Sequence, residues 1–173
     1  IKGSDGMKEI SGQIYTPEKT FRPGTVYIEN GRIQKVEYDD TLVWPGQVFR
    51  YILPGLVDIH FHGCAGYDFC DGTKEAFEAI ATYEKAHGIT SICPATMTLP
   101  AARLLQIVSE AADSEIPSLR GINREGPFLS RAKKGAQNEA YLQKPNTELL
   151  LDLQAASGGL VKLVSIAPEE ENA

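Results

Sequence analysis

Histidine is scarce in this 173-residue chain, with three copies, and cysteine is equally scarce. Cys64, Cys70 and Cys93 form no CxxC pair, so reduced thiols are expected rather than a disulfide framework or a thiolate zinc site. Only Cys64, beside two histidines, keeps a ligand role as an alternative. No apolar run approaches the roughly 20 residues that span a bilayer, and the amino end lacks the basic-then-apolar pattern of a signal peptide. A cytoplasmic protein without a membrane partner is therefore expected. Basic residues are outnumbered, 17 against 23 acidic, giving a net charge of −6. No basic run is long enough to follow a nucleic-acid backbone, which argues against DNA and RNA as partners. Position 1 is not Met, and Gly3, Ser4, Asp5 and Gly6 show no periodicity, so residues 1–7 are expected to be a flexible or processed end.

What is present, 42% hydrophobic and 23% charged residues, is the composition of a globular domain with a sizeable core. Over residues 8–38, short strand-like runs alternate with turns, and Asn30-Gly31 between two of them is a hairpin signal because both residues tolerate positive φ. Residues 39–46 read as a loop and 47–52 as a further strand. Pro54-Gly55 then marks a boundary between a small β unit, residues 1–53, and a longer unit, residues 54–173.

Beyond that boundary the rhythm lengthens. A helix over 73–86 sets Ala76, Phe77, Ile80, Ala81, Tyr83 and Glu84 at helical spacing, with Asp71 or Thr73 as N-cap and Gly88 as stop. A second helix over 100–112 turns Leu104, Leu105, Ile107, Val108 and Ala111 inward, and a third over 147–156 is capped by Asn146. Strands are expected over 89–95, 118–125 and 160–166. This alternation predicts parallel strands with right-handed crossovers, in an open sheet or a (β/α)8 barrel, whose strand carboxyl ends carry function.

The first of these strands is Leu53-Pro54-Gly55-Leu56-Val57-Asp58-Ile59-His60-Phe61-His62-Gly63. Its apolar run, Leu56, Val57 and Ile59, reads as buried. Side chains alternate along a strand, so His60 and His62 project to one side and Phe61 to the other. A buried histidine is often only a hydrogen-bonded core residue, but two at this spacing form a metal clamp. Glu125 sits in Asn123-Arg124-Glu125-Gly126-Pro127-Phe128, where Gly126 and Pro127 end the third strand. It is either a solvated loop carboxylate or a third ligand for a divalent ion that activates water. The loop over 130–144 is long and basic at Arg131, Lys133 and Lys134, which reads as a binding loop, and Gly135 is expected to let the backbone approach closely.

These segments, together with Lys133-Lys134-Gly135-Ala136-Gln137-Asn138, resemble the N-acetylglucosamine-6-phosphate deacetylases of the amidohydrolase superfamily. The resemblance runs from about Ile14 onward and matches only the amino-terminal part of that fold. It implies an α/β protein in which part of a small β-sandwich precedes about the first half of an amidohydrolase-type (β/α)8 barrel. It also implies His60, His62 and Glu125 as ligands of one or two divalent ions, zinc foremost, with iron, manganese, cobalt or nickel as alternatives. Ala136 and Gln137 take the substrate-contacting positions. Several members have histidine where Gln137 stands. Arg124 replaces an expected apolar residue, and a cation there either pairs with a carboxylate or weakens metal affinity. His87 matches no ligand position.

The implied activity is metal-assisted removal of the acetyl group from N-acetylglucosamine 6-phosphate, in a cytoplasmic homodimer. An aspartate outside these residues would carry the proton, so no catalytic acid or base is assigned within them. A dihydroorotase-like amidohydrolase would share the His-x-His strand but lack Glu-Gly-Pro-Phe and the Lys-Lys-Gly loop. A non-catalytic chain is the other alternative. Taken alone, the chain is expected to be inactive, with unpaired strand edges and apolar positions such as Leu104 and Leu150 exposed.

Overall fold

The computed structural model describes residues 6–42 and 50–173. Residues 1–5 of the flexible end expected over 1–7, and the loop and strand positions expected over 43–49, lie outside the described residues; Met7 instead begins a strand. The chain divides into two compact units, Ile1–Pro54 and Gly55–Ala173.

In the first unit, β1 (Met7–Tyr15), β2 (Phe21–Glu29), β3 (Arg32–Tyr38) and β4 (Tyr51–Ile52) form one sheet in the order β3-β2-β1-β4. The β2–β3 hairpin closes through Asn30 at φ 51° and Gly31 at φ 72°, with Glu29 opposite Arg32. Where the sequence suggests two short runs, Glu9-Ile10 and Gln13-Ile14-Tyr15, β1 is one continuous strand. Gly12 joins the runs, pairs with Gly24 and faces the Arg50 carbonyl so closely that any Cβ would overlap it. Glycine is required there so that β4 can lie parallel to β1, with Gln13 N–H donating to Arg50 O at 2.7 Å. Ile14 and Val26 are the buried apolar residues of this sheet. A second layer of a sandwich is not among the described residues.

The second unit contains β5 (Leu56–Asp58), the short hairpin strands β6 (Gly63–Cys64) and β7 (Tyr67–Asp68), α1 (Lys74–Ala86), β8 (Ile89–Ile92), α2 (Ala101–Asp113), β9 (Ile122–Arg124), α3 (Thr147–Ala156) and β10 (Val161–Val164). Pairs β5–β8 and β9–β10 are parallel, and parallel bridges Ile92–Leu119 and Ala95–Asn123 join β8 to β9. Spatial order therefore follows chain order, with a helix in each crossover, as alternating βα units require. Helix starts agree with the sequence to within a residue, because the caps are local chemistry. Thr73 accepts from Ala76 N–H and Asn146 from Leu149 N–H, while Gly88 at φ 83° follows the end of α1. The strands are shorter than expected, β8 at its carboxyl end and β9 and β10 at both ends.

Phe69, Phe77, Ile80, Leu104, Ile107, Val108, Ala111, Ile122 and Leu153 form the core between strands and helices. Each large apolar side chain there contributes about 1.5–3 kcal/mol of transfer free energy. Leu104 is fully buried, against the expectation of exposure, because α2 packs on neighbours already present in this chain. Tyr83 is exposed and its ring packs on His87 instead. The expected burial of Leu56, Val57 and Ile59 also fails, since they are 59%, 63% and 54% exposed. Among the described residues β5 pairs only with β8, so nothing covers its other side. Leu163, Val164 and Ile166 are similarly exposed on and just after β10.

Arg124 is the anomaly of this core. It is 1% exposed, none of its guanidinium nitrogens has a hydrogen-bond partner among the described residues, and its charge lies 4.1 Å from the centre of the Phe128 ring. No carboxylate pairs with it among the described residues, and alternation along β9 sends it to the face opposite Glu125. Burial pushes its pKa down to about 10, which still leaves a buried cation at neutral pH.

Two outcomes follow from this packing. Arg124→Met is expected to stabilise the protein by about 1–4 kcal/mol, since an apolar side chain of similar length removes an uncompensated buried charge. A urea midpoint equal to or below the parent's would count against that account. The 173-residue chain is expected to self-associate through its two open strands, and Val57→Lys combined with Val164→Lys should shift it toward monomer in size-exclusion chromatography. Monomeric elution of the unmodified chain would reject the edge argument.

Candidate metal centre

His60 and His62 lie just past β5, but the parallel ladder continues beneath them. Cys93 N–H donates to Asp58 O at 2.8 Å and Ala95 N–H to Phe61 O at 2.7 Å, so side chains keep their alternation. Phe61 goes into the core side, and both imidazoles go to the other side, as the sequence predicts. Asp58 Oδ1 accepts from His60 N–H at 3.0 Å, which secures the backbone where the ladder thins.

Glu125 arrives from β9. Gly126, at φ 68°, turns the chain immediately afterwards, leaving the carboxylate at the strand's carboxyl end. Its Oε2 is 3.1 Å from His62 Nε2 and 3.4 Å from His60 Nε2, and the three candidate ligand atoms lie within 4.8 Å of one another. The Glu125 side chain is 24% exposed, against 34% for His62 and 50% for His60. The solvated-loop alternative for Glu125 does not describe this position.

The donor set fits a divalent ion. Glu125 Oε2 is buried yet receives no hydrogen bond, even though two imidazole nitrogens face it. A carboxylate oxygen and two imidazole nitrogens converging without a satisfied hydrogen bond between them is an arrangement that a cation completes. Nitrogen and oxygen ligands suit zinc and its first-row neighbours. Cys64 is not part of the cluster: its Sγ is directed at Ile80 O, 3.9 Å away, and burial, followed by Glu84, pushes the thiol up to about 11. His87 caps α1, with its Nδ1 2.8 Å from Tyr83 O.

Two supporting residues were not singled out from the sequence. Asn123 is buried; its Nδ2 donates to Ile59 O at 2.9 Å and contacts His60 Nδ1 at 3.1 Å, so one amide holds both the strand and the ring. Thr96 Oγ1 donates to Glu125 O at 3.3 Å. Asn123 was legible in principle, since it stands two residues before Glu125 and therefore on the same strand face.

The two substrate-contacting candidates separate. Ala136 is exposed on the loop, whereas Gln137 is 4% exposed and its Oε1 accepts from Thr98 N–H at 2.6 Å. Gly135 has open space around it, so no close approach requires it; its φ of 59° does. Of the loop's cations, Arg131 pairs with Glu139 at 3.1 Å and Lys134 Nζ donates to Gln137 O at 3.2 Å. Lys133 is exposed.

An α/β chain presenting a His-x-His clamp and a strand-end glutamate is similar in fold to amidohydrolase-type proteins. Within that class the chain resembles the amino-terminal part of the N-acetylglucosamine-6-phosphate deacetylases. It is 30% identical to the deacetylase of Bacillus subtilis, over 95% of this chain and 44% of that protein. It is 33% identical to the human one, over 91% of this chain and 38% of that protein. Among solved structures, a variant of the Mycobacterium smegmatis deacetylase in complex with N-acetyl-D-glucosamine-6-phosphate superposes with a TM-score of 0.83 at 28% identity, over 97% of this chain and 45% of that one. The Thermotoga maritima deacetylase gives 0.81 at 28%, over 95% and 44%. No family model matches. The chain thus spans about two fifths of the length of the curated relatives it matches.

Because Oε2 of Glu125 faces both imidazoles, Glu125→Gln is expected to lower metal content and affinity more than His60→Asn does. Metal analysis and calorimetric titration of the two variants check this. Unchanged metal binding in both would remove the centre.

Proposed function

We propose that these residues form the amino-terminal part of a deacetylase that hydrolyses the amide of N-acetylglucosamine 6-phosphate to glucosamine 6-phosphate and acetate. The observation that carries this reading is the convergence of His60, His62 and Glu125 at the strand carboxyl ends, where barrel enzymes build their active sites. It is supported by the relatives whose names state the same activity. In this reading residues 1–53 are part of a small β-sandwich and residues 54–173 about the first half of a (β/α)8 barrel. The protein works in the cytoplasm as a homodimer, with one or two divalent ions, zinc foremost.

When bound, a divalent ion supplies polarisation of the amide carbonyl and acidifies water. The chain's own residues hold and orient. Glu125 and the two imidazoles provide anionic and neutral ligands, Asn123 fixes the His60 ring, and Thr96 steadies the Glu125 backbone. In this reading the proton is carried from water to the departing amine by an aspartate outside these residues, as the resemblance implies. Ala136, exposed on the loop, contacts the sugar in this reading, whereas the side chain of the neighbouring Gln137 is committed to Thr98 N–H. Lys133 is the loop cation left without a protein partner among the described residues and is available to an anionic substrate.

The complete gene product is expected to favour the 6-phosphorylated sugar over the unphosphorylated one in kcat/KM, because a phosphate gains charge-assisted hydrogen bonds that a hydroxyl does not. An acetate-release assay with both sugars decides. Equal values would reject the substrate, and no release with either would reject the reaction.

A further inference from the structure

The Gln137 side chain is turned away from solvent and fully engaged. Its Oε1 accepts from Thr98 N–H at 2.6 Å and its Nε2 lies 3.7 Å from Met97 Sδ. Its own backbone is pinned on the loop side, with Gln137 N–H donating to Lys134 O and Lys134 Nζ donating to Gln137 O, both at 3.2 Å. Thr98, in turn, is 1% exposed and packs on Gly126 so closely that any Cβ there would overlap Thr98 Oγ1. Gly126 is the residue after Glu125. Two residues before Thr98, Thr96 N–H donates to Asn123 O at 2.9 Å and its hydroxyl to Glu125 O.

We infer that Gln137 is a positioning residue: its side-chain amide ties the loop over residues 130–144 to the Met97-Thr98 segment and, through Thr98 against Gly126, holds the turn that presents the Glu125 carboxylate. This goes beyond the proposed activity and rests on it only in taking Glu125 as a metal ligand. The physical reason is reach. Glu125 ends its strand, and the Gly126 backbone that follows adopts a conformation few residues hold unaided. A turn of that kind keeps one geometry when buried neighbours define it from outside. Thr98 is that neighbour, and its backbone N–H, buried beneath the loop, has Gln137 Oε1 as its acceptor. An unmade bond there leaves a buried donor unsatisfied, so the segment is free to shift only at a cost. A side chain so committed is not available to hydrogen-bond a sugar, whereas exposed Ala136 remains so.

The test uses the complete gene product loaded with cobalt(II), whose visible absorption reports ligand geometry independently of turnover. Gln137→Leu, close in size but without an acceptor, is expected to weaken cobalt affinity by up to about 10-fold, the low end of the range for groups bonded directly to a ligand, because it acts through Thr98 and Gly126. It should also alter the cobalt spectrum and lower kcat with little change in KM. Gln137→Glu keeps an acceptor for Thr98 N–H and is expected to restore affinity and spectrum. Gln137→Asn, one methylene shorter, is the milder probe should Gln137→Leu fail to fold, with a smaller loss in the same direction. Parent-like cobalt affinity and spectrum in the folded Leu or Asn variant, whether or not KM rises, would overturn the inference. Absence of acetate release in the parent protein would sink the proposed reaction but leave the cobalt comparison intact.

Discussion

Glu125 Oε2 meets His62 Nε2 at 3.1 Å and His60 Nε2 at 3.4 Å, and that meeting depends on the register of three neighbouring parallel strands. β5 delivers the imidazoles, β9 delivers the carboxylate, and β8 lies between them as the spacer. The backbone that continues from it binds both neighbours: Cys93 and Ala95 N–H groups donate to Asp58 O and Phe61 O, while Thr96 N–H donates to Asn123 O and Asn123 N–H to Pro94 O. A slip of one residue on either side would send the ligands to the opposite face. The apolar face of the same strands prevents such a slip, because Ile92 and Ile122 must stay beneath the helices.

The polar groups around the cluster extend that register into side-chain geometry. Asn123 reaches across from β9 to Ile59, just past β5, and Thr96, on the segment after β8, reaches the backbone of Glu125. Gln137 and Thr98 close the circuit from the loop. Each is a short bond between elements far apart in the chain, of the kind that costs more when broken than it contributes when made.

Other parts of the chain run against stability. Arg124 buries a cation over an aromatic ring without an anionic partner among the described residues, an arrangement whose desolvation cost a ring face offsets only in part. The outer strands leave Leu56, Val57 and Leu163 to solvent. The chain therefore has a well-packed layer between helices and strands and an unprotected strand at either side of it.

The sequence by itself determined the local features: the Asn30-Gly31 hairpin, the Thr73 and Asn146 caps, the inward stripe of α2, the βα alternation, and the pairing of His60 with His62. These follow from φ preferences, capping bonds and side-chain periodicity, each contained within a few residues. Glu125 was legible as a candidate because a Gly-Pro turn ends its strand, but its meeting with the histidines rests on β8 standing between them. Tertiary structure alone decided the rest. The exposure of Leu56, Val57 and Ile59 contradicts an apolar run that reads as buried, because burial is a property of the neighbours and not of the residue. The inward turn of Gln137 toward Thr98, 39 positions earlier, and the partnerless position of Arg124 arise likewise from contacts between distant segments, which no local pattern records.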